Sequence, residues 1–384
     1  MSTQDMEQHQ LNLAVDLNDE GLLMIPGPTR VPPEVRAVMT RQMISHRGPD
    51  FEELHADVTS RLTKLFHTQG DVVILPSSGT GALEAALVNV ASPGDRILSC
   101  VMGAFGARFA AIAEAYGLDV ERLDVEWGQA PDPDEIVARL QSGGKPFHAV
   151  LLTHCETSTG VLQPLDENIK AIRAVAPDVL ILVDAVSSFA GAPLYMDEWN
   201  IDVTITASQK ALMTPPGLGI VAVGPRAREA MAKAKLPRFT WDFEPYLKAP
   251  GKPPYTPAVG LWFGLQAALD SIEAEGEEAL FARHRRMRDM TREGFQALGL
   301  RPLAPAEVAS PTVTAAVLPE GIAPGTVLKL AREKGLVLAG AQGHLKDTVI
   351  RMGHMGGVQP EHITQAFKIL EEIWADLPAA GVNR

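Results

Sequence analysis

The alternation of short apolar runs with helical patterns between residues 71 and 224 limits the possible folds more than any other feature of this sequence. Strand-like runs such as DVVILP, VLILVDA and DVTITAS are separated by amphipathic stretches such as GARFAAIAEAYG. Runs of Val, Ile and Leu without polar alternation are typical of strands that are buried on both faces. The pattern therefore predicts an α/β fold with a parallel sheet covered by helices, and a ligand crevice at the carboxyl ends of its strands.

The length of 384 residues indicates more than one domain, because a single core rarely grows beyond about 250 to 300 residues. We expect a flexible N-terminal extension at residues 1–20, a large domain at 21–284 and a smaller α+β domain at 285–384. The last helix of the small domain has a clear apolar stripe at spacings of four and three residues. The stripe consists of Ile363, Phe367, Leu370, Trp374 and Leu377.

Charge and cysteine content exclude several classes of partner. A net charge of −13 argues against nucleic acid or an anionic membrane, since both require a surplus of Lys and Arg on one face. Cys100 and Cys155 cannot form a disulfide framework and lack the spacing partners of a zinc site, so we expect no metal. The N-terminus has neither the basic start nor the apolar core of a targeting signal, and no apolar run reaches the roughly 18 residues of a membrane span. These observations predict a cytoplasmic protein.

A glycine-rich turn, Ser78-Gly79-Thr80, joins the strand DVVILP to a helix. The free N–H groups and the positive dipole end of such a helix suit a phosphate. A plain strand-to-helix turn capped by Ser or Thr is an equal alternative. The dinucleotide fingerprint fits less well, because Glu84 stands where a third small residue belongs and the next strand ends without an acidic residue.

Asp184 lies near the end of the strongly apolar run VLILVDA, and Lys210 comes shortly after the run DVTITAS. If the two strands are neighbours, both side chains lie in one crevice, where burial makes an unpaired carboxylate costly and a lysine nucleophilic. The alternatives are a helix N-cap for Asp184 and a surface position for Lys210.

Three further features are weaker. The polar segment THCETSTG follows another strand and forms either a site wall or an ordinary loop, within which we assign Cys155 a structural role. Arg351, in TVIRMG, suits a carboxylate, with an edge-strand salt bridge as the alternative. His46, Arg47 and His354 are more typical of structural positions.

Taken together, THCETSTGVLQPLD, VDAVSSFAGAPLYMD and SQKALMTPPG resemble the class V branch of the fold type I enzymes that depend on pyridoxal 5′-phosphate (PLP). Within this family the sequence is most similar to alanine–glyoxylate and serine–glyoxylate aminotransferases, from PGPTRVPPEV near residue 26 to the last helix. The resemblance implies a large, mostly parallel sheet of the seven-stranded type, a smaller C-terminal α+β domain and PLP as the cofactor.

The same resemblance implies roles for individual residues. Lys210 would form the Schiff base and move the proton, and Asp184 would keep the pyridine nitrogen protonated. Phe105 would stack on the ring, with a core Phe as the alternative. The remaining assignments are phosphate binding by Ser78, Gly79, Thr80 and Gln209, ring contacts by Thr157, Ser158 and Ser188, and substrate carboxylate binding by Arg351 near Gly27.

The resemblance also implies a homodimer in which Tyr255 and Thr256 reach the phosphate site of the partner subunit. The expected reaction is ping-pong transamination from alanine or serine to glyoxylate, which gives glycine and a 2-oxo acid. Aspartate or ureidoglycine as donor, pyruvate as acceptor, and a PLP-binding subunit without catalytic activity remain alternatives. A cysteine desulfurase-like lyase is disfavoured, because no cysteine follows Cys155.

Overall fold

A mostly parallel sheet of seven strands forms the centre of the molecule. The alternating pattern predicts the parallel sheet, and the resemblance implies the number of strands. The computed structural model describes residues 21–377, so the extension predicted at residues 1–20 lies outside the described residues. The strands of this sheet are β2 (Asp71–Ser77), β3 (Arg96–Val101), β4 (Asp119–Asp124), β5 (Ala149–Thr153), β8 (Leu180–Asp184), β9 (Val203–Ala207) and β10 (Gly217–Val223). Short strands β1 (Leu22–Leu23), β6 (Cys155–Glu156) and β7 (Val161–Leu162) lie outside it.

The strand order is β2-β10-β9-β8-β5-β3-β4, and every neighbouring pair is parallel except the two that β10 makes. Residues 208–216 connect β9 to β10. A parallel crossover needs a dozen or more residues, so this connection permits only an antiparallel return. Strands β8 and β9 are parallel neighbours, with Asp184 paired to Ile205, as the argument for a shared crevice requires.

Helices cover both faces of the sheet and create two separate cores. Along β8, Ile181 and Val183 belong to one core and Leu180 and Leu182 to the other, which is the alternation of a strand buried on both sides. The main helices of the first core are α2 (Pro49–Leu65), α6 (Leu165–Val175) and α9 (Val259–Glu275), and Ile136 of a shorter helix joins them. Those of the second are α3 (Gly79–Val90), α4 (Ala104–Ala115) and α7 (Pro225–Met231). Three short helices complete this part, namely α1 (Pro33–Val38), α5 (Pro133–Leu140) and α8 (Glu244–Lys248).

The C-terminal part contains a four-stranded antiparallel sheet in the order β11-β12-β15-β14. Its elements are α10 (Glu277–Ala297), β11 (Arg301–Pro302), β12 (Val313–Val317), α11 (Pro324–Glu333), β13 (Leu336–Val337), β14 (Ala339–Gly340), β15 (Val349–Gly353) and α12 (Pro360–Asp376). No helix in the described range 21–377 is both long and apolar enough to cross a membrane.

Three details differ from the sequence expectations. Helix α10 runs continuously across the predicted boundary at 284/285, and its residues Met287 and Phe295 join the C-terminal core. Strand β1 pairs with β13, so the chain at Leu22 packs in the small domain before it enters the large one. Leu377 lies just beyond the end of α12 but still packs against the C-terminal core, and Ile373, which the predicted stripe left out, is buried there.

A buried carboxylate joins three chain segments at the end of the large sheet where strands β8 and β9 begin. Asp202, at 3% side-chain exposure, accepts hydrogen bonds from Arg173 and Arg226 at 2.6 Å each. It also accepts the N–H of Ile181 at 2.7 Å. The carboxylate thus holds α6, β8 and α7 together opposite the predicted crevice.

We expect Asp202→Asn to lower the free energy of unfolding by about 3 kcal/mol, because it leaves the mostly buried Arg173 without its counter-charge. The exposed pair Arg122–Glu114 offers a control, and Glu114→Gln should cost less than about 1 kcal/mol. Urea unfolding of the two variants measures the difference. Equal losses would show that the Asp202 cluster contributes no more than a surface ion pair.

Candidate active site

A cavity of about 280 Å³ lies at the carboxyl ends of the central strands. Most of the residues predicted for the site line it, although they come from six separate segments of the chain. The lining residues are Gly27, Pro28, Ser78, Gly79, Thr80, Leu83, Phe105, Arg108, Cys155, Thr157, Asp184, Val186, Ser187, Gln209, Lys210 and Pro216.

Lys210 is a buried lysine at 9% exposure. Its amine donates a hydrogen bond to the carbonyl of Pro26, and the hydroxyl of Thr29 donates to the backbone carbonyl of Lys210 at 2.8 Å. Burial lowers the pKa of Lys210 to about 8, and the nearby cations Arg351 and Arg108 act in the same direction. A substantial fraction of this amine is therefore neutral, and so nucleophilic, near neutral pH.

Asp184 ends strand β8 and is also buried. Its Oδ1 accepts the N–H of Val186 at 2.9 Å. Burial raises the pKa of Asp184 to about 7 and the negative charge of Glu156 adds to the effect, while the Val186 bond and the charges of Lys210 and Arg108 oppose it. A cationic group bound in the cavity would favour the ionised form of this carboxylate.

The glycine-rich turn occupies the N-terminus of helix α3. Ser78 caps the helix by accepting the N–H of Gly81 at 3.2 Å, and it also lines the cavity, so the two alternatives for this turn do not exclude each other. A Cβ at Gly79 would lie 3.1 Å from Val186 and 3.4 Å from Ala207. The absence of a side chain there lets the helix approach the strand ends closely.

Phe105, on the first turn of helix α4, lines the cavity together with Arg108. The guanidinium carbon of Arg108 lies 4.8 Å from the centre of the Phe105 ring, and its Nη1 donates to Thr80 Oγ1 at 3.3 Å. Arg108 was missed in the sequence analysis. Its position three residues after Phe105 on one helix face would have identified it.

Of the predicted ring-lining hydroxyls, only Thr157 lies at the cavity. Thr157 Oγ1 and Ser187 Oγ are 2.5 Å apart, and Ser187 occupies the place expected for Ser188. The chain after β8 makes a helical turn, which separates consecutive side chains, and Ser188 is directed back to the carbonyl of Ala185 at 3.4 Å. Ser158 donates to Glu156 at 2.6 Å behind the cavity wall.

Arg351 lies in the interior of the small sheet, since β15 pairs with both β12 and β14. The alternative that Arg351 forms a salt bridge on an edge strand is therefore wrong. Its guanidinium donates from Nε and Nη2 to the carbonyl of Gly340, at 2.9 and 2.7 Å, and from Nη1 to the carbonyl of Thr157 at 2.9 Å. These bonds join the small domain to a residue that lines the cavity.

The remaining candidates lie outside the cavity of their own chain. The hydroxyl of Tyr255 donates to the carbonyl of Phe239 at 3.3 Å, and Thr256 is exposed. His354 is buried, between Thr314 Oγ1 at 2.9 Å and the carbonyl of Pro311 at 3.0 Å, which is a structural position. His46 and Arg47 do not line the cavity.

Cys155 lines the cavity, but its thiol lies 3.0 Å from Ser310 Oγ, and burial raises its pKa to about 11. A thiol in this state is a poor nucleophile, which agrees with the structural role assigned to it. Within residues 21–377 there is no group of three or more His, Cys, Asp or Glu side chains that could hold a metal ion.

The residues present fit a phosphorylated aromatic aldehyde such as PLP. The free N–H groups of α3 suit a phosphate, Phe105 and Val186 offer apolar contacts for a flat ring, and Lys210 is an amine that can react with an aldehyde. Gln209 also lines the cavity; its amide nitrogen can donate to a phosphate, and its buried Oε1 has no hydrogen-bond partner among residues 21–377. A bound ligand with a donor group would satisfy that atom.

The raised pKa of Asp184 predicts a pH-dependent stability of the ligand-free protein. Between its ordinary value of 3.8 and about 7 the native state holds this proton more tightly than the unfolded state, so stability falls as pH rises through that window. Asp184→Asn removes the titration and keeps an acceptor for the N–H of Val186. We expect the variant to be more stable than the wild type at pH 8, and by a smaller margin at pH 5.

Urea unfolding at the two pH values tests this expectation, with the exposed Asp289→Asn as the control for the loss of a carboxylate. If the difference between Asp184→Asn and the wild type were the same at both pH values, Asp184 would not titrate in this range and the expectation would be wrong.

Comparisons with known proteins agree with this geometry. The family model "Aminotransferase class-V" matches residues 26–350. The chain is 41% identical over 376 residues to a Synechococcus protein described as the small subunit of a soluble hydrogenase, with 95% of this chain and 97% of the relative covered. It is 35% identical over 367 residues to the L-aspartate–glyoxylate aminotransferase of Paracoccus denitrificans, with 94% and 93% covered.

Among solved structures, an alanine–glyoxylate aminotransferase from Nostoc sp. superimposes with a TM-score of 0.88 at 29% identity and covers 93% of this chain and 96% of that one. A family model that spans most of the chain, and relatives that match along nearly all of it, establish the same assignment. This chain is a class V aminotransferase with the fold of the type I PLP-dependent enzymes.

Proposed function

We propose that this aminotransferase uses PLP to transfer the amino group of a small amino acid, alanine or serine, to glyoxylate in a ping-pong reaction. The observation that carries the proposal is the position of Lys210, a buried amine with a lowered pKa, beside the buried carboxylate of Asp184 on the neighbouring strand. The Nostoc protein, described as an alanine–glyoxylate aminotransferase, supports the choice of substrates.

PLP, when bound, would supply an electron-withdrawing ring that stabilises negative charge at the substrate Cα. The residues of this chain would hold and orient it. Asp184 would accept a hydrogen bond from the protonated ring nitrogen, and Phe105 would cover one face of the ring. The N-terminus of α3, Thr80 and Gln209 would hold the phosphate. Arg108, which bonds to Thr80, would add positive charge at that end.

Lys210 would serve as the base that removes the proton from the substrate Cα and delivers it to the carbon that bears the aldehyde in free PLP. Its amine is held near the carbonyl of Pro26, and the backbone of Gly27 passes directly beside it. A Cβ at Gly27 would lie 2.7 to 2.8 Å from the end of the Lys210 side chain. This close packing leaves little room near the amine and favours a small donor.

Arg351 would bind the substrate carboxylate. Its guanidinium is fixed by two carbonyls, those of Gly340 and Thr157, and the latter residue lines the cavity. A buried guanidinium with lowered hydration suits a bidentate carboxylate. This role would place the carboxylate between the small domain and Lys210.

Other donors and acceptors remain alternatives, since the Paracoccus relative is described as acting on L-aspartate. A PLP-binding subunit without catalytic activity is a second candidate, favoured by the description of the Synechococcus relative as a subunit of a hydrogenase. We also propose a cytoplasmic location, because Cys100 and Cys155 are both free thiols.

We expect the purified protein with PLP to form glycine from glyoxylate and either alanine or serine. The measurement ranks alanine, serine, aspartate and ureidoglycine by kcat/KM, with glyoxylate and pyruvate as acceptors. Lys210→Ala should lower kcat by about a thousandfold or more, because the base is lost. The exposed Lys368→Ala serves as its control.

A protein that makes no glycine from any donor would rule out the glyoxylate assignment. PLP that binds with a visible absorption band, while no amino acid changes that band, would favour the non-catalytic subunit. Full turnover by Lys210→Ala would disprove the role given to Lys210.

We also propose a homodimer in which Tyr255 and Thr256 reach the phosphate of the partner subunit. Both residues lie outside the cavity of their own chain, and Phe239 beside Tyr255 is 78% exposed, an unusual state for a large aromatic residue. Sedimentation should give twice the mass of the chain. Thr256→Ala should weaken PLP binding about fivefold to tenfold, as the loss of one hydrogen bond would.

The exposed Thr364→Ala is the matched control for Thr256→Ala. A monomer that binds PLP with wild-type affinity would contradict the proposed dimer.

A further inference from the structure

Glu156 is a fully buried carboxylate that the sequence analysis left without a role. It has 0% exposure and ends the short strand β6, next to Thr157 of the cavity wall. Its two oxygens accept the N–H groups of Phe105 at 3.0 Å, Gly106 at 3.0 Å and Ser158 at 3.0 Å. They also accept the hydroxyl of Ser158 at 2.6 Å. Every one of these donors belongs to a segment that borders the cavity.

The hydrogen bonds join two walls of the cavity to each other. Phe105 and Gly106 lie on the first turn of helix α4, whereas Ser158 follows Thr157 on a separate loop that also borders the cavity. The hydroxyl of Ser158 closes the connection, because it also accepts the N–H of Ala104 at 3.0 Å. A Cβ at Gly103 would overlap the Glu156 side chain. The carboxylate therefore packs directly against the backbone where the helix begins.

No cation forms a salt bridge with Glu156 among residues 21–377. The N–H groups and the dipole of helix α4 compensate its charge at close range, and the guanidinium of Arg351 contributes from beyond salt-bridge distance. Burial raises the pKa of Glu156, and the bonds from Ser158, Gly106 and Phe105 oppose that rise. An amide in place of the carboxylate would present an NH₂ group to N–H donors, and so would break part of the connection.

We infer that Glu156 is a positioning residue, which fixes the start of helix α4 relative to the loop of Thr157 and thereby the position of Phe105, the wall on which the cofactor ring would lie. Glu156 itself does not line the cavity. It would act through Phe105, by fixing the start of helix α4. The inference rests on the proposed binding of PLP in this cavity, but not on the identity of the amino donor.

The test measures cofactor binding, not turnover. Glu156→Gln is stripped of PLP and titrated with PLP and, separately, with pyridoxal, which lacks the phosphate. We expect both dissociation constants to rise about tenfold to a hundredfold, since charge-assisted hydrogen bonds are lost. The ratio of the two constants should stay the same, because the effect acts on the ring and not on the phosphate. The visible circular dichroism of the bound cofactor should also decrease.

A double-mutant cycle separates positioning from a general loss of stability. Phe105→Leu should weaken binding, and adding Glu156→Gln to it should cause little further loss, because Glu156 acts through Phe105. Glu121→Gln is the matched control, since this glutamate also accepts several hydrogen bonds but lies on β4, away from the cavity. Ser158→Ala is the milder second variant if Glu156→Gln does not fold, and it should change both constants in the same direction.

Wild-type affinity in Glu156→Gln, or in Ser158→Ala where only that variant folds, would overturn the inference. Fully additive effects of Glu156→Gln and Phe105→Leu would also overturn it, as would a change confined to PLP and absent with pyridoxal. A wild-type protein that binds PLP but forms no glycine would reject the proposed substrates and leave this inference standing. A wild-type protein that does not bind PLP would reject both.

Discussion

The parallel pairing of β8 with β9 is the interaction on which the active site depends. It aligns the ends of two buried strands, so that Asp184 and, three residues after β9, Lys210 open into the same cavity. Both groups lose hydration there, and burial moves their pKa values in opposite directions, up for the carboxylic acid and down for the amine. The sheet thus produces an acid and a base that both titrate near neutral pH.

Burial of these groups lowers the stability of the ligand-free protein, and other parts of the fold have to compensate for this cost. Two helix N-termini point toward the cavity region and offer N–H groups, one beside Ser78 and the other beside Glu156. At the far edge of the sheet, Asp202 pairs with two arginines and joins three elements. Buried ionisable groups at the carboxyl ends of the strands can then be tolerated, because the two hydrophobic cores and the Asp202 cluster at the other end of the sheet stabilise the fold.

Relatives with different descriptions, a hydrogenase subunit and glyoxylate aminotransferases, match this chain along nearly all of its length. A fold supports many activities, so the argument for function has to come from the site. Here the cavity is lined by a buried amine, a buried carboxylate and Phe105, the groups on which the proposed reaction depends. The proposal of a small substrate depends on the close approach of Gly27 to Lys210.

The sequence by itself determined the strands, the helices that cover them and the residues at the strand ends, because apolar runs and their spacing are local properties. It also predicted that Lys210 and Asp184 share a crevice. Tertiary structure decided the direction of the side chains in the turns, so that Ser187 lines the cavity in place of the predicted Ser188. It also brought Arg108 beside Thr80. It alone gave Glu156 its place between two walls, since that position depends on bonds between residues about fifty positions apart, which no local pattern records.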